Sequence, residues 1–155
     1  MILDSLNDDF RDLLLALADQ DAEFLIVGAY ALSFHGAPRA SGDIDVFVRP
    51  SAGNAARIWK ALINFGAPFE SAGVLQTDFE KPELVYQIGL PPRRIDLLTS
   101  ISGVTFDDAW SSRVSANLDG RSVSFIGREM FLLNKEAAGR PKDLADAARL
   151  RRILK

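Results

Sequence analysis

The sequence predicts an α/β (α+β) domain: a mixed β-sheet flanked by helices, with two further helices closing the chain from about residue 128. Three observations carry that expectation. Short apolar runs of strand length alternate with segments of helical periodicity through the first 65 residues. Two later pairs of strand-like runs are each separated by turn residues. The last 28 residues carry helical spacing interrupted only by Gly139 and Pro141.

Taken in order, Leu6, Phe10, Leu13, Leu14 and Leu17 recur at helical spacing, with Ser5 as the expected N-cap and Asp8 and Asp9 at the positive end of the helix dipole, so a first helix is expected over 5–20. Glu23 to Val27 is an apolar run suited to a buried strand, and Gly28 follows it directly. Helix resumes through Ala29, Ala31 and Leu32 until Gly36 and Pro38 stop it. Asp43 to Arg49 alternates, placing Asp43, Asp45 and Phe47 on one strand face and Ile44, Val46 and Val48 on the other.

After Pro50, the residues Ala55, Ile58, Trp59, Leu62 and Ile63 form the apolar stripe of a helix closed by Gly66. Residues 67–83 show weak periodicity, and the expectation there is an irregular segment with a short strand near Val74 to Gln76. Leu84 to Leu90 and Arg94 to Thr99 read as an antiparallel pair joined by Pro91-Pro92, the second strand bearing Asp96 and the Arg93-Arg94 pair solvating the turn. Val114 to Leu118 and Ser122 to Ile126 flank Asp119-Gly120, a dipeptide favoured in type I′ hairpins. Arg128 to Ala138 and Lys142 to Leu154 are the closing helices, with Asp143 and Asp146 expected in the first turn of the second. No repeat, low-complexity tract or linker divides the chain, so residues 1–155 are expected to form one domain.

Composition narrows the chemistry. With no cysteine and a single histidine, His35, the chain has neither a disulfide framework nor a multi-histidine zinc set, and any metal must be held mainly by oxygen, which favours Mg²⁺ or Mn²⁺. No run approaches the roughly 20 apolar residues of a membrane span. The acidic N-terminal stretch lacks the basic start and apolar run of a signal peptide, so the expected location is cytoplasmic, without membrane partners. Net charge is −3, but residues 1–50 carry nine acids and three bases whereas 135–155 carry seven bases and three acids. That basic end reads equally as a phosphate-facing surface or as a solvated helix face.

The chemistry-bearing stretch is Gly28 to Asp45, where a glycine at a strand-to-helix turn precedes two aspartates spaced i, i+2. On a strand that spacing sets both carboxylates on one face, about 6.6 Å apart along the axis, within reach of one metal cluster. Asp96, between Ile95 and Leu97, is a third strand-borne acid. Carboxylates on otherwise apolar strands are costly without a cation or hydrogen-bonding partner. Backbone N–H groups where Gly28 opens a helix suit phosphate oxygens, although such a glycine is also a plain steric requirement. Arg39, on the loop entering the aspartate strand, suits bidentate phosphate contact or pairing with an aspartate. His35 at a helix end reads as a cap or packed residue, and Trp59 and Trp110 as core.

The segment GAYALSFHGAPRASGDIDVFV resembles the motif region of DNA polymerase β-superfamily nucleotidyltransferases, especially the bacterial AbiEii-type toxin branch. The resemblance covers 23–49 and 94–99, and more loosely KEAAGRPKDLADAARL at 135–150. It implies a glycine motif at Gly28-Ala29, a D-x-D metal pair at Asp43 and Asp45, a third acid at Asp96, and basic groups facing the nucleotide from a pattern matched by Lys135, Arg140, Lys142 and Asp143. It also implies a fold of nucleotidyltransferase type and transfer of a nucleoside monophosphate from an NTP, with Mg²⁺ or Mn²⁺, to an RNA (tRNA included) or protein hydroxyl. A toxin–antitoxin or phage-defence setting with a cognate partner goes with it. The chain departs from the Gly-Ser or Gly-Gly of many such enzymes, because Ala29 supplies no hydroxyl for phosphate. An inactive nucleotide- or partner-binding module on the same fold is therefore the alternative expectation.

Overall fold

The computed structural model describes residues 2–154. A short 3₁₀ turn, Ile2–Ser5, precedes helix α1, Asp8–Asp19. Asn7 is the N-cap, its side chain accepting from the Phe10 amide at 3.1 Å, while the Ser5 hydroxyl donates back to the Ile2 carbonyl. The expected cap at Ser5 thus moves two residues on, because an Asn side chain meets the third helical amide where Ser5 is already spent in its own turn.

Strand β1 (Phe24–Val27) runs straight into α2 (Gly28–Phe34), and β2 (Ile44–Val48) follows after a loop. Asp43 therefore lies one residue before the strand on which it was expected. Helix α3 (Ala52–Phe65) is capped by Ser51 and closed by Gly66 in the left-handed conformation. Its buried stripe is Ala55, Ile58, Ala61 and Leu62, whereas Ile63, expected inside, is 56% exposed.

No strand forms near Val74; the segment folds instead as a helical turn, α4 (Phe69–Ala72), and a 3₁₀ turn (Gln76–Glu80). The Asp78 carboxylate accepts from the Leu75 amide, and the two turns direct Phe69 and Phe79 onto Trp59 and Tyr86. Aromatic packing onto α3 thus decides a stretch whose own periodicity is weak.

Strands β3 (Val85–Ile88) and β4 (Ile95–Leu98) pair antiparallel, and after α5 (Phe106–Ser111) the hairpin β5 (Val114–Leu118) and β6 (Arg121–Phe125) forms as expected. Asp119 and Gly120 both take positive φ, 50° and 84°, as a type I′ turn requires. Helices α6 (Arg128–Ala138) and α7 (Pro141–Ile153) pack together, with Pro141 in the first turn of α7. Asp146 lies beyond that first turn, deeper in the helix than expected.

The six strands make one mixed sheet in the order β3-β4-β2-β1-β6-β5. β1 and β2 pair antiparallel, while β2 with β4 and β1 with β6 pair parallel, which bears out the mixed sheet flanked by helices. Registered partners share a face, so Ile44, Val46 and Val48 lie with Phe24, Ile26 and Leu97, and Asp45 and Phe47 lie with Leu25, Val27, Asp96 and Leu98. On the second face Phe47 meets Phe106 of α5 edge-on at 5.0 Å. That face also carries the acids. No described helix is long and apolar enough to cross a membrane.

Candidate active site

Asp45 and Asp96 are direct register partners on two parallel strands, β2 and β4. The pairing brings their carboxyl groups into hydrogen-bonding contact, and both line one cavity of about 600 Å³. Burial, followed by the neighbouring charge of Asp96 and the hydrogen bond to it, pushes the Asp45 carboxyl up to about 6. Burial and a like charge alongside both disfavour the ionised form of Asp45, a cost that a bound cation would relieve. Asp43, less buried, completes the acidic rim from the loop side.

Gly28 explains how Asp45 fits. At φ +66° it opens α2, and a Cβ there would stand 2.4 Å from Asp45 Oδ2. Only a residue without a side chain lets the start of α2 lie against that carboxylate. A second close approach seats the loop ahead of the acids: a Cβ on Gly42 would meet the Pro92 carbonyl oxygen at 1.4 Å, so the 89–93 loop packs directly onto the residue before Asp43.

Arg94 does not solvate the turn, as the sequence suggested; it lies across two of the three acids. Its Nε donates to Asp96 Oδ1 at 2.7 Å, its Nη2 stands 3.2 Å from Asp96 Oδ2 and 3.2 Å from Asp43 Oδ2, and its amide donates to Asp43 Oδ1 at 3.2 Å. The i, i+2 relation that sets Arg94, just ahead of β4, on the same side as Asp96 was visible in the sequence and is the signal that could have found it.

The remaining polar wall comes from α6 and α7. Arg39 makes a bidentate pair with Asp146, at 2.8 and 3.0 Å, the aspartate alternative left open by the sequence. Lys135 extends its Nζ to Asp143 at 3.4 Å and Asp146 at 3.7 Å. Arg140 closes the chain of charges with a 2.6 Å bond from Nε to Asp143. Asp143 is fully buried; burial would raise its carboxyl, but Arg140 and Lys135 together outweigh that and hold it below the usual range. Asp143 and Asp146, expected as dipole-facing acids of a helix turn, are thus the buried ties that fasten α7 to α6 and to the Arg39 loop.

Gly28, Ala29, Arg39, Asp43, Asp45, Asp96, Lys135 and Arg140, eight of the residues singled out from the sequence, line this one cavity. Lys142 and Arg149 line it too, giving six basic and five acidic side chains on its wall. His35 lies elsewhere: buried, it donates from Nε2 to the Ile126 carbonyl at 2.7 Å, and burial holds its pKa below the usual histidine value. Trp59 stacks on Phe69 at 4.0 Å and Trp110 on Phe106, both as packing.

Among the described residues no three carboxylates converge closely enough, as they stand, to ligate one ion. The donor set itself fits a hard divalent cation, being all oxygen, with Asp45 and Asp96 adjacent and Asp43 joined to Asp96 through a single guanidinium. Asp43, Asp45 and Asp96 are the residues that would hold it.

This is the architecture of a nucleotidyltransferase-like fold. The solution structure of the antibiotic-resistance factor ANT(2″)-Ia superposes on it with a TM-score of 0.59 at 15% identity, over 95% of this chain and 83% of that one. The crystal structure of an antigenic nucleotidyltransferase-like protein from Paracoccidioides brasiliensis gives a TM-score of 0.51 at 18% identity, over 95% of this chain and 77% of that one. No family model and no curated protein matches the sequence.

Proposed function

We propose that the protein is a metal-dependent nucleotidyltransferase that moves a nucleoside monophosphate from an NTP to a hydroxyl of an RNA or protein acceptor. The observation that carries this reading is the register pairing of Asp45 with Asp96, beside Asp43, in a cavity whose other wall is basic. A bound Mg²⁺ or Mn²⁺ would neutralise charge on the phosphates and lower the pKa of the acceptor hydroxyl. In the reaction the acceptor oxygen bonds to the α-phosphorus while the bond from that phosphorus to the pyrophosphate oxygen breaks, and the hydroxyl proton passes to Asp96. Asp43, Asp45 and Asp96 would hold the cation, Asp96 completing the site as well as taking the proton, and Asp45 is kept in place by the side-chain-free surface of Gly28. The backbone at Gly28-Ala29, with Arg39, Lys135 and Arg140, meets the triphosphate and orients the leaving pyrophosphate. The setting in a toxin–antitoxin or phage-defence system, with a cognate partner, rests on the sequence resemblance to the AbiEii-type branch.

Incubation with labelled NTP, Mg²⁺ and RNA or protein acceptors tests the reading: the wild type transfers label and releases pyrophosphate. Transfer that survives the double substitution Asp43→Asn, Asp45→Asn would refute it. One observation favours a second reading, a nucleotide-binding module without turnover: Arg94 already neutralises Asp43 and Asp96. Calorimetric NTP binding with no pyrophosphate release distinguishes that case.

A further inference from the structure

We infer that Arg94 is a built-in counter-ion that occupies the cation's place among the acids and must swing out before a divalent ion can bind. This rests on the metal-dependent reading above and goes beyond it. One guanidinium engages Asp96 through two nitrogens, at 2.7 and 3.2 Å, and reaches Asp43 Oδ2 at 3.2 Å, so it spans two of the three carboxylates that would ligate the ion. Its position satisfies acids that would otherwise repel one another on adjacent strand ends.

The backbone and side chain of Arg94 are held very differently. Its carbonyl accepts from the Ile44 amide at 3.0 Å and its amide donates to Asp43 Oδ1, which fixes the main chain in the sheet margin. The side chain is 25% exposed and lines the open cavity, so rotation about its own bonds carries the guanidinium toward solvent without moving either strand. Ligation by Asp43 and Asp96 and their pairing with Arg94 use the same oxygen atoms, which makes the two states exclusive. The ion, with twice the charge and a fixed demand for oxygen ligands, displaces the arginine only when its concentration, or phosphate oxygens brought by the nucleotide, favour it. Arg94 therefore sets the metal affinity of the nucleotide-free protein and links metal uptake to nucleotide.

The test measures Mn²⁺ binding without nucleotide, from the loss of the free-ion EPR signal, alongside thermal unfolding in EDTA. Arg94→Gln is expected to bind Mn²⁺ about tenfold more tightly than wild type, the scale set by removing a unit positive charge a few ångströms from an incoming divalent ion. It should also unfold earlier in EDTA, with Mn²⁺ restoring more stability to the variant than to the wild type. Arg94→Lys, which keeps the charge but not the two-pronged contact, should fall between and serves if the glutamine variant does not fold. Equal Mn²⁺ affinity in wild type and variants overturns the role of Arg94 alone. No Mn²⁺ binding to any of them, with the Asp43→Asn, Asp45→Asn protein indistinguishable from wild type, overturns the metal-dependent reading and this inference with it.

Discussion

Replacing Gly28 with alanine probes the link between the strand-to-helix turn and the acids. An L-residue in the left-handed conformation that Gly28 adopts, φ +66°, costs about 1–2 kcal/mol. The new Cβ would stand 2.4 Å from Asp45 Oδ2, so the carboxylate has to retreat by about 1 Å to reach ordinary contact. Its desolvated partner Asp96 leaves it no comparable resting place, and an off-rotamer side chain adds about 1 kcal/mol. The total is about 2–3 kcal/mol, a fall in Tm of roughly 4–12 °C for a chain of this size. Differential scanning calorimetry in EDTA reads it. Gly53→Ala is the matched control: it lies in the first turn of α3, nothing stands within 4 Å of its added Cβ, and the change should stabilise by about 0.5–1 kcal/mol. Equal Tm values for Gly28→Ala and wild type would refute the steric argument, and so would full Mn²⁺ binding and nucleotidyl transfer in the variant.

Two further outcomes follow from the buried charges. Asp146→Asn turns the pairs with Arg39 and Lys135 into neutral contacts and should cost about 1.5–3 kcal/mol, read as a lower urea midpoint at unchanged slope; an unchanged midpoint would sink the idea that this acid fastens α7 to the Arg39 loop. His35, whose pKa is lowered by burial and further by Arg128 against the opposing bond to Ile126, refuses a proton that the unfolded chain accepts near 6.5. Its contribution is therefore full above that pH and lost as pH falls below it. Asp45 runs the other way, because its raised carboxyl holds a proton that the unfolded chain releases, so its contribution is lost as pH rises from about 4 towards 6. The readout is accordingly a difference: between pH 7.5 and 5.5, in EDTA, the wild type should lose more stability than His35→Gln, and parallel curves would contradict the assignment.

The parts of the fold that local chemistry dictates were legible. Asp119-Gly120 specified its hairpin because both residues tolerate positive φ, and the alternation around Asp45 placed it on the cavity face because Ile44 and Val46 had to be inside. Val74 to Gln76 misled, since Phe69 and Phe79 take their conformation from Trp59 and Tyr86 rather than from their neighbours in sequence. The cavity residues could be named singly, but their pairings could not. Arg39 and Asp146 are 107 positions apart, and nothing local to either says that they meet. Arg94 was misread for a different reason: beside a Pro-Pro turn an arginine reads as solvent-facing, and only the depth of Asp96 gives its side chain somewhere better to go.

The register between β2 and β4 also bears on how this chain can change. Because Asp45 and Asp96 belong to adjacent parallel strands, their spacing is set by the sheet and not by the length of chain between them. Insertions or deletions in the surface stretch around Gly73 to Leu75, where Leu75 is 63% exposed, leave that spacing untouched. A shift of β4 by one residue, by contrast, turns Asp96 to the opposite face and brings Ile95 or Leu97 beside Asp45. The stretch around Gly73 to Leu75 is thus open to extension, whether by evolution toward a new acceptor or by a reporter placed there at the bench, while the pair of strands that frames the chemistry tolerates no slippage at all.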